Sequence, residues 1–316
     1  MYDSDPTRRT VLKAIGGTAA VAAVPASVQA SADEWTVVET PTASTLHGVE
    51  STTNGYYTVG EGGIVLRRGA EGWEKVLDGG PTGNGNSLFG SDTTDYGSAL
   101  WFVGASGAIG EYNVNAGNLD DHSAPNDNTN NYNDVAVTGK AGEANVYVAG
   151  DSGKIYYSFE NGESQTWEYV TPGSGSAIKA IDFHDVRSGH AVDTNGRVFE
   201  TTDGVTWEPI GLQDANVNFY GVDSDGTDDV WVSGGGGMVF HYDGAQWTSA
   251  DTGDAGLNDV TVRSGEGYTV GGGGKLYEYD GAKWTQVDTP TGENLKAVLD
   301  SETNIAVGAG GTVVER

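Results

Sequence analysis

The chain has 316 residues, of which 45 are acidic and 16 basic, so its formal net charge at pH 7 is −29. This balance argues against a nucleic-acid partner, because binding to a phosphate backbone needs clustered Lys and Arg, and against direct contact with an anionic membrane. The absence of Cys excludes disulfides, thiolate metal sites and cysteine nucleophiles.

The first 30 residues have the features of an export signal. Residues 7–13 read TRRTVLK, and the pair Arg8 and Arg9 in this context resembles the twin-arginine translocation signature. The apolar stretch over residues 14–28 is too short and too rich in Ala and Gly for a spanning helix. We predict a cleaved signal over residues 1–30 and a folded domain outside the cytoplasm, secreted or at the cell surface. An uncleaved anchor is the alternative.

From residue 31 onward the sequence repeats with a period of about 40 residues, the length of a four-stranded propeller blade. Each unit has an apolar first strand, a second strand ending in a Gly-rich turn, and a third strand leading to a hairpin. The first strands are predicted to begin near Leu46, Leu88, Tyr132, Ile178, Phe219, Leu257 and Leu295. Seven such strands predict an all-β, seven-bladed β-propeller over residues 31–316.

The seventh unit stops at Arg316, before its fourth strand. That strand is found at the other end of the chain, because Trp35 to Pro41 reads WTVVETP where Trp284 to Pro290 of the sixth unit reads WTQVDTP. We therefore predict that residues 35–41 complete the last blade, which closes the ring and removes unpaired strand edges. A solenoid is the alternative, but it would need capping units at its ends.

Most units carry a Trp at the fourth strand, where we expect it to pack between blades. These residues are Trp35, Trp73, Trp167, Trp207, Trp247 and Trp284. The segment TTDGVTW, which runs from Thr201 to Trp207, resembles the Asp-box of bacterial neuraminidase repeats. The segments YDGAQW and YDGAKW keep the same spacing of Asp to Trp. An Asp in such a turn accepts hydrogen bonds from backbone amides, so a structural role is expected. The Asp-box residues are Asp203, Trp207, Asp243, Trp247, Asp280 and Trp284.

The wider repeat is similar to that of the photosystem II stability and assembly factor family, and more loosely to the YVTN and WD-repeat superfamily. This resemblance covers most of residues 46–316. The acidity, which is spread over every segment, resembles that of proteins from salt-loving archaea. Propellers of these kinds include glycosidases, lyases, assembly factors and receptors, so the resemblance implies an architecture rather than an activity.

The sequence offers few groups for catalysis or metal binding. The arginines after the signal do not fall at positions that suggest convergence, as in sialidases, and the histidines form no close pair with metal-ligand spacing. Two carboxylates could hydrolyse a glycoside, but the sequence nominates no pair. Asp120, Asp121 and Asp127, in the long polar segment of the second unit, are a candidate Ca²⁺ site. A solvated acidic loop is the alternative.

One column of residues is predicted to lie at the mouth of the central channel, because each follows the first apolar residue of an inner strand. Its members are His47, Phe89, Asn133, Lys179, Tyr220, Asn258 and Lys296. Their variety suits a binding surface, and ordinary contacts between blades are the alternative. We predict a non-catalytic propeller that binds a protein or glycan partner at the cell envelope, such as an assembly factor. The alternative is an extracellular polysaccharide-active enzyme.

Overall fold

The computed structural model describes residues 34–212 and 215–316, which form seven four-stranded antiparallel sheets. This confirms the predicted all-β, seven-bladed propeller. The predicted export signal, with Arg8 and Arg9, lies outside the described residues. Among the described residues, no helix is long and apolar enough to cross a membrane.

The first strand of each blade lines the central channel, and the second strand pairs with it on the outer side. The first strands are β2 (Leu46–Thr52), β6 (Leu88–Thr93), β10 (Tyr132–Thr138), β14 (Ile178–Phe183), β18 (Phe219–Gly226), β22 (Leu257–Arg263) and β26 (Leu295–Leu299). The second strands are β3 (Gly55–Gly60), β7 (Ala99–Gly104), β11 (Asn145–Gly150), β15 (Gly189–Asp193), β19 (Asp229–Gly234), β23 (Glu266–Gly271) and β27 (Ile305–Gly308).

The two outer strands complete each blade. The third strands are β4 (Ile64–Gly69), β8 (Ile109–Asn113), β12 (Ile155–Ser158), β16 (Val198–Thr201), β20 (Met238–Tyr242), β24 (Leu276–Tyr279) and β28 (Val313–Glu315). The fourth strands are β5 (Gly72–Leu77), β9 (Asn118–Asp121), β13 (Glu168–Val170), β17 (Glu208–Pro209), β21 (Trp247–Asp251), β25 (Trp284–Val287) and β1 (Thr36–Val38). Short 3₁₀ turns follow the second strand in five blades, at Glu61–Gly63, Ala105–Gly107, Gly235–Gly237, Gly272–Gly274 and Ala309–Gly311.

The ring closes through the N-terminal strand, as the sequence predicts. Strand β1 pairs with β28, and Thr36 lies opposite Glu315. Only Thr36–Val38 of the predicted segment 35–41 is strand. Across the same seam, the guanidinium of Arg68 in blade 1 donates to both carboxylate oxygens of Glu315 in blade 7, at 2.9 and 3.0 Å. The first and last parts of the chain are therefore joined by a strand pair and a partly buried ion pair.

The core is divided into seven apolar clusters, one at each interface between blades. Four of the fourth-strand tryptophans are almost completely buried, and Trp247 and Trp284 are half-buried. Each packs towards the preceding blade; Trp35, for example, lies edge-on to Tyr268 at 5.7 Å between ring centroids. Burial of such a ring removes roughly 200 Å² from water, so these contacts stabilise the ring of blades.

Carboxylates of the inner strands join successive blades around the channel. Asp134 of blade 3 accepts from the amide of its own neighbour, Val135, and from Ile181 of blade 4, at 2.9 and 3.0 Å. Asp259 does the same between blades 6 and 7. Burial raises the pKa of Asp134, and the two amides and the other inner carboxylates modify that effect. These acids are structural, because backbone amides satisfy both of their oxygens.

Candidate binding site at the channel mouth

The seven residues predicted for the channel mouth are the extra residues of seven β-bulges. In every blade the register between first and second strand shifts by one residue immediately after the first apolar position; in blade 1, Leu46 lies opposite Gly60 and Gly48 opposite Val59. His47 is therefore unpaired, and the same holds at the equivalent position of each other blade. A bulge re-aims a side chain away from the regular pleat and is common beside binding sites. All seven side chains are half-buried.

A repeated hydrogen bond fixes the backbone at each bulge. The carbonyl just before each first strand accepts from the first amide after the second strand, at 2.8–3.1 Å in all seven blades. In blade 7, for example, Ala309 N donates to Asn294 O. The glycine that ends the following turn lies beneath the loop entering the next blade; at Gly237 (φ 69°) an added Cβ would lie 1.9 Å from Gly253 O. The rim of the mouth is thus held by main-chain geometry that needs glycine.

We name the seven bulge residues the mouth ring. It contains two lysines, one histidine, two aromatic residues and two asparagines, and no Asp or Glu. In a chain with 45 acidic residues, a ring without a carboxylate is a local departure from the general surface. Depletion of Asp and Glu together with the presence of aromatic side chains is a feature of the cores of protein interfaces, from which the two lysines of the ring depart.

The ring is partly a set of contacts between blades, which was the alternative interpretation of the sequence. Asn133 Nδ2 donates to Ile178 O at 2.8 Å, and Asn258 Nδ2 donates to Leu295 O at 2.6 Å. His47 and Phe89 meet edge to face, with ring centroids 5.4 Å apart. These contacts order the side chains of the ring without covering them.

One side of the mouth is internally neutralised. Lys179 Nζ donates to Asn133 Oδ1 at 3.0 Å and forms an ion pair with Asp151 at 3.1 Å. Although partial burial acts in the opposite direction, hydrogen bonds from Asn133 and Lys179 hold the pKa of Asp151 below its usual value. Next to this group is a polar cleft of about 330 Å³, which is lined by Thr129, Asn130, Asn131, Asp151 and Ser152.

On the opposite side of the mouth, the cation is Lys296, which lies near His47. Burial, and then the nearby Lys296, lower the pKa of His47 to about 4, against an opposing effect of Glu61. His47 is therefore neutral at pH 7, and its Nε2 is buried without a hydrogen-bond partner. The Asn294 side chain lies between Asn258 and Lys296.

Three residues of the site were not identified from the sequence: Glu61, Asp151 and Asn294. All three belong to the turns and loops around the ring rather than to its column. Asn294 directly precedes an inner strand and Asp151 directly follows a second strand. Reading the two columns that flank each bulge, instead of the bulge column alone, would have included them.

The structure gives no support to the candidate Ca²⁺ site. Asp120 and Asp121 are successive residues of β9, opposite Glu111 and Gly110, so their side chains point to opposite faces of the sheet. Asp127 lies in a separate 3₁₀ turn over Pro125–Asp127. Within residues 34–212 and 215–316, no group of three or more His, Asp and Glu side chains could hold a metal ion.

The Asp-box carboxylates hold hairpin turns at the end of the blades opposite the mouth. Asp203 accepts from the amides of Val205 and Thr206 at 2.8 and 2.6 Å. These amides, that of Thr206 above all, lower the pKa of Asp203 to about 2. Asp243 and Asp280 each accept from two amides in the same way. These bonds account for the carboxylates structurally.

The nearest approach to a catalytic arrangement is buried. Ser224 Oγ lies 2.9 Å from His184 Nδ1 and 2.7 Å from His190 Nδ1. Ser224 and His190 are 3 % and 0 % exposed, so a substrate has no access to the hydroxyl. Arg68 and Arg316 form ion pairs with different carboxylates, Glu315 and Glu278, and do not converge on one anion site.

A second concavity lies away from the mouth. It is a groove of about 540 Å³ on the outer side of blades 4 and 5, lined by Ile210, Gly211, Leu212, Tyr242, Ala245, Gln246 and Trp247. Trp247 Nε1 donates to Ile210 O at 3.1 Å across this interface. No Asp, Glu, His, Lys or Arg lines this groove, so the mouth is the better candidate site.

Comparison with known proteins supports the fold. No family model and no curated protein matches the sequence. YCF48 from Cyanidioschyzon merolae is 20% identical with a TM-score of 0.69, covering 89% of this chain and 98% of that one. YCF48 bound to D1 peptide is 16% identical with a TM-score of 0.71, covering 90% and 94%.

A catalytically inactive virginiamycin B lyase from Staphylococcus aureus with quinupristin is also similar. It is 13% identical with a TM-score of 0.75, and the match covers 89% of this chain and 99% of the lyase. At such identities the likeness concerns architecture alone, and proteins with different roles share it. What the comparisons show of this chain is therefore a seven-bladed β-propeller.

Proposed function

We propose that this protein is an exported, non-catalytic propeller that binds a partner protein at its channel mouth. The observation that carries the proposal is the mouth ring, in which seven bulges present cationic, aromatic and amide side chains without a carboxylate. Rigid main-chain bonds hold these side chains in place before a partner arrives, which lowers the entropic cost of binding.

Two further points support binding over catalysis. A similar propeller, YCF48, is known in a complex with a D1 peptide. Ser224, which contacts two histidines, is 3 % exposed and therefore gives the enzyme alternative no accessible nucleophile. The partner at the cell envelope can be an assembly substrate or an adhesion ligand, and a glycan is the other chemical class that the polar cleft beside Asp151 could accept.

The proposal is tested by site-specific photocrosslinking in cells that make the protein. Benzoylphenylalanine replaces Tyr220 in the mouth ring, and in the control it replaces Tyr169, which is 54 % exposed on an outer strand. We expect Tyr220 to give a discrete crosslinked protein that Tyr169 does not give. Equal crosslinking at both positions, or none at Tyr220 in low or molar salt, would refute binding at the mouth.

Export and catalysis are tested separately. Changing Arg8 and Arg9 to Lys should retain the precursor in the cytoplasm, as fractionation would show, if the twin-arginine route is used. A panel of glycan substrates in low and high salt addresses the enzyme alternative. Turnover that a single carboxylate substitution abolishes would replace the binding proposal with a polysaccharide-active enzyme.

A further inference from the structure

Hydrogen-bond donors outnumber acceptors in the sector of the mouth between blades 6, 7 and 1. Asn258 Nδ2 is 2.8 Å from one end of the Asn294 side-chain amide, and Lys296 Nζ is 3.0 Å from the other end. With its oxygen towards Lys296, this amide accepts from Nζ, and its NH₂ group donates to Leu295 O at 3.3 Å while it also faces the NH₂ group of Asn258. Leu295 O is then shared by two amides, and Lys296 Nζ has one amide oxygen as the acceptor for its three hydrogens.

His47 adds a further unsatisfied group to the same sector. Its Nε2 has no hydrogen-bond partner and lies 4.0 Å from the nearest carboxylate oxygen, Oε1 of Glu61. The side chain of His47 is 17 % exposed, but Nε2 itself is buried, so it faces this sector from inside the protein and not from its surface. Because the ring is neutral at pH 7, Nε2 can carry the hydrogen and donate it. Buried polar groups are normally satisfied, and an exception needs an explanation.

The second lysine of the mouth ring provides an internal comparison. Lys179 is bonded to Asp151 and Asn133, and its charge is therefore compensated within the protein. None of the ion pairs among the residues that the structure describes includes Lys296. The same bulge position thus holds a neutralised cation in blade 4 and an uncompensated cation in blade 7.

We propose that Lys296, together with Asn258 and Asn294, binds a side-chain carboxylate of the partner protein. A carboxylate accepts several hydrogen bonds and donates none, so it supplies the acceptors that this sector lacks. Its bonds to a lysine are charge-assisted and therefore stronger than neutral ones.

The side-chain carboxylate of an Asp or Glu inside a peptide segment fits this sector better than the carboxylate at the C-terminal end of a chain. Asp134 and Asp259, one residue further along their first strands, already accept backbone amides with both oxygens, so the donors for a carboxylate lie at the mouth and not below it. A segment that continues across the rim can place a neighbouring apolar side chain on Phe89, which stands edge-on to His47. This inference rests on the proposed function of the mouth.

The test uses the full chain, labelled with ¹⁵N, and capped peptides as probes. Acetyl-Leu-Asp-Phe-amide should cause saturable shifts in the amides near residues 47, 258, 294 and 296. Acetyl-Leu-Asn-Phe-amide should bind at least tenfold more weakly. Lys296→Met should weaken binding of the Asp peptide by about tenfold, a loss of about 1.4 kcal/mol. Lys283→Met, in the exposed turn before β25 at the end of the blades away from the mouth, is the control and should bind as the original protein does.

Three outcomes would overturn the inference: equal binding of the Asp and Asn peptides, equal effects of the two lysine substitutions, or no saturable shift. Stronger binding of acetyl-Leu-Phe with a free C-terminal carboxylate would also overturn it, because the source would then be a chain end. Failure of this inference can be distinguished from failure of the proposed function by crosslinking. If Tyr220 still crosslinks a partner when Lys296 is Met, the mouth binds protein but not through this carboxylate.

Discussion

The ion pair across the seam gives the sharpest test of ring closure. Glu315 is 10 % exposed in its side chain and accepts from Arg68 at 2.9 and 3.0 Å and from Trp73 Nε1 at 2.9 Å. These bonds connect blade 7 to blade 1, whose residues are more than 240 positions apart in the sequence. We expect Glu315→Ala to destabilise the whole propeller, because the loss occurs where the two ends of the chain meet.

The size of the effect follows from burial. Removing one partner of a fully buried pair costs about 3–5 kcal/mol. Arg68 keeps 32 % of its side chain exposed and can recover some hydration, so we expect about 2–3 kcal/mol for Glu315→Ala. For a chain of this size that corresponds to a fall in Tm of roughly 4–10 °C. The measurement is thermal unfolding followed by tryptophan fluorescence and calorimetry, with reversibility checked.

The adjacent pair in blade 1 is the matched control. Arg67 contacts Glu74 within one hairpin, and the side chain of Glu74 is 52 % exposed. Glu74→Ala should cost less than about 1 kcal/mol, because exposed pairs contribute little. A double-mutant cycle with Arg68→Met and Glu315→Ala should give a coupling energy of at least about 1 kcal/mol. Equal losses for Glu315→Ala and Glu74→Ala would refute the reasoning, because the seam pair would then add nothing beyond a surface contact.

Three other predictions test the closure, the rim and the acid sensitivity of the fold. Deleting residues up to 41 removes β1 and should lower Tm by more than 10 °C or prevent folding, whereas unchanged melting would contradict ring closure. Gly237→Ala should destabilise far more than Gly236→Ala, because both have positive φ but only Gly237 would place a Cβ against backbone, at 1.9 Å; similar urea midpoints for the two variants would contradict this. Burial lowers the pKa of His190 to about 3, so stability should fall as the pH drops from about 6.5 towards 3, by up to roughly 1.4 kcal/mol per pH unit. His190→Gln should flatten that slope in urea titrations between pH 6.5 and 4.5, and an unchanged slope would assign it to other groups.

The fold could be predicted from the sequence because each blade corresponds to one repeat of about 40 residues. Every first strand begins with an apolar residue and every second strand leads into a turn that contains glycine, so the first strands could be located to the residue. The closing strand could be predicted because Trp35 to Pro41 nearly repeats Trp284 to Pro290. Its extent could not, because how far β1 pairs depends on the length of β28, which is only three residues.

The binding site was harder to predict from the sequence than the fold was, for a physical reason. The column could be chosen, but the bulge that lifts it out of the pleat is a property of strand register, which repeats do not reveal. The contacts of Asp151 and Asn294 depend on loops that cross the rim from neighbouring positions in space. The suggested Ca²⁺ ligands failed for a related reason, because alternation along β9 separates Asp120 from Asp121.

The two lysines of the mouth ring show why a repeated position need not have a repeated role. In the sequence Lys179 and Lys296 are equivalent, each following the first apolar residue of an inner strand. In the structure the turn of the preceding blade supplies Asp151 to Lys179, whereas Gly272 occupies the corresponding turn position beside Lys296, in blade 6, and brings no charge. One lysine is thereby held in an internal ion pair and the other remains available for a partner. A seven-fold scaffold can thus carry a one-sided binding surface, because the scaffold is set by the shared positions and the polarity of each sector by the turn beside it.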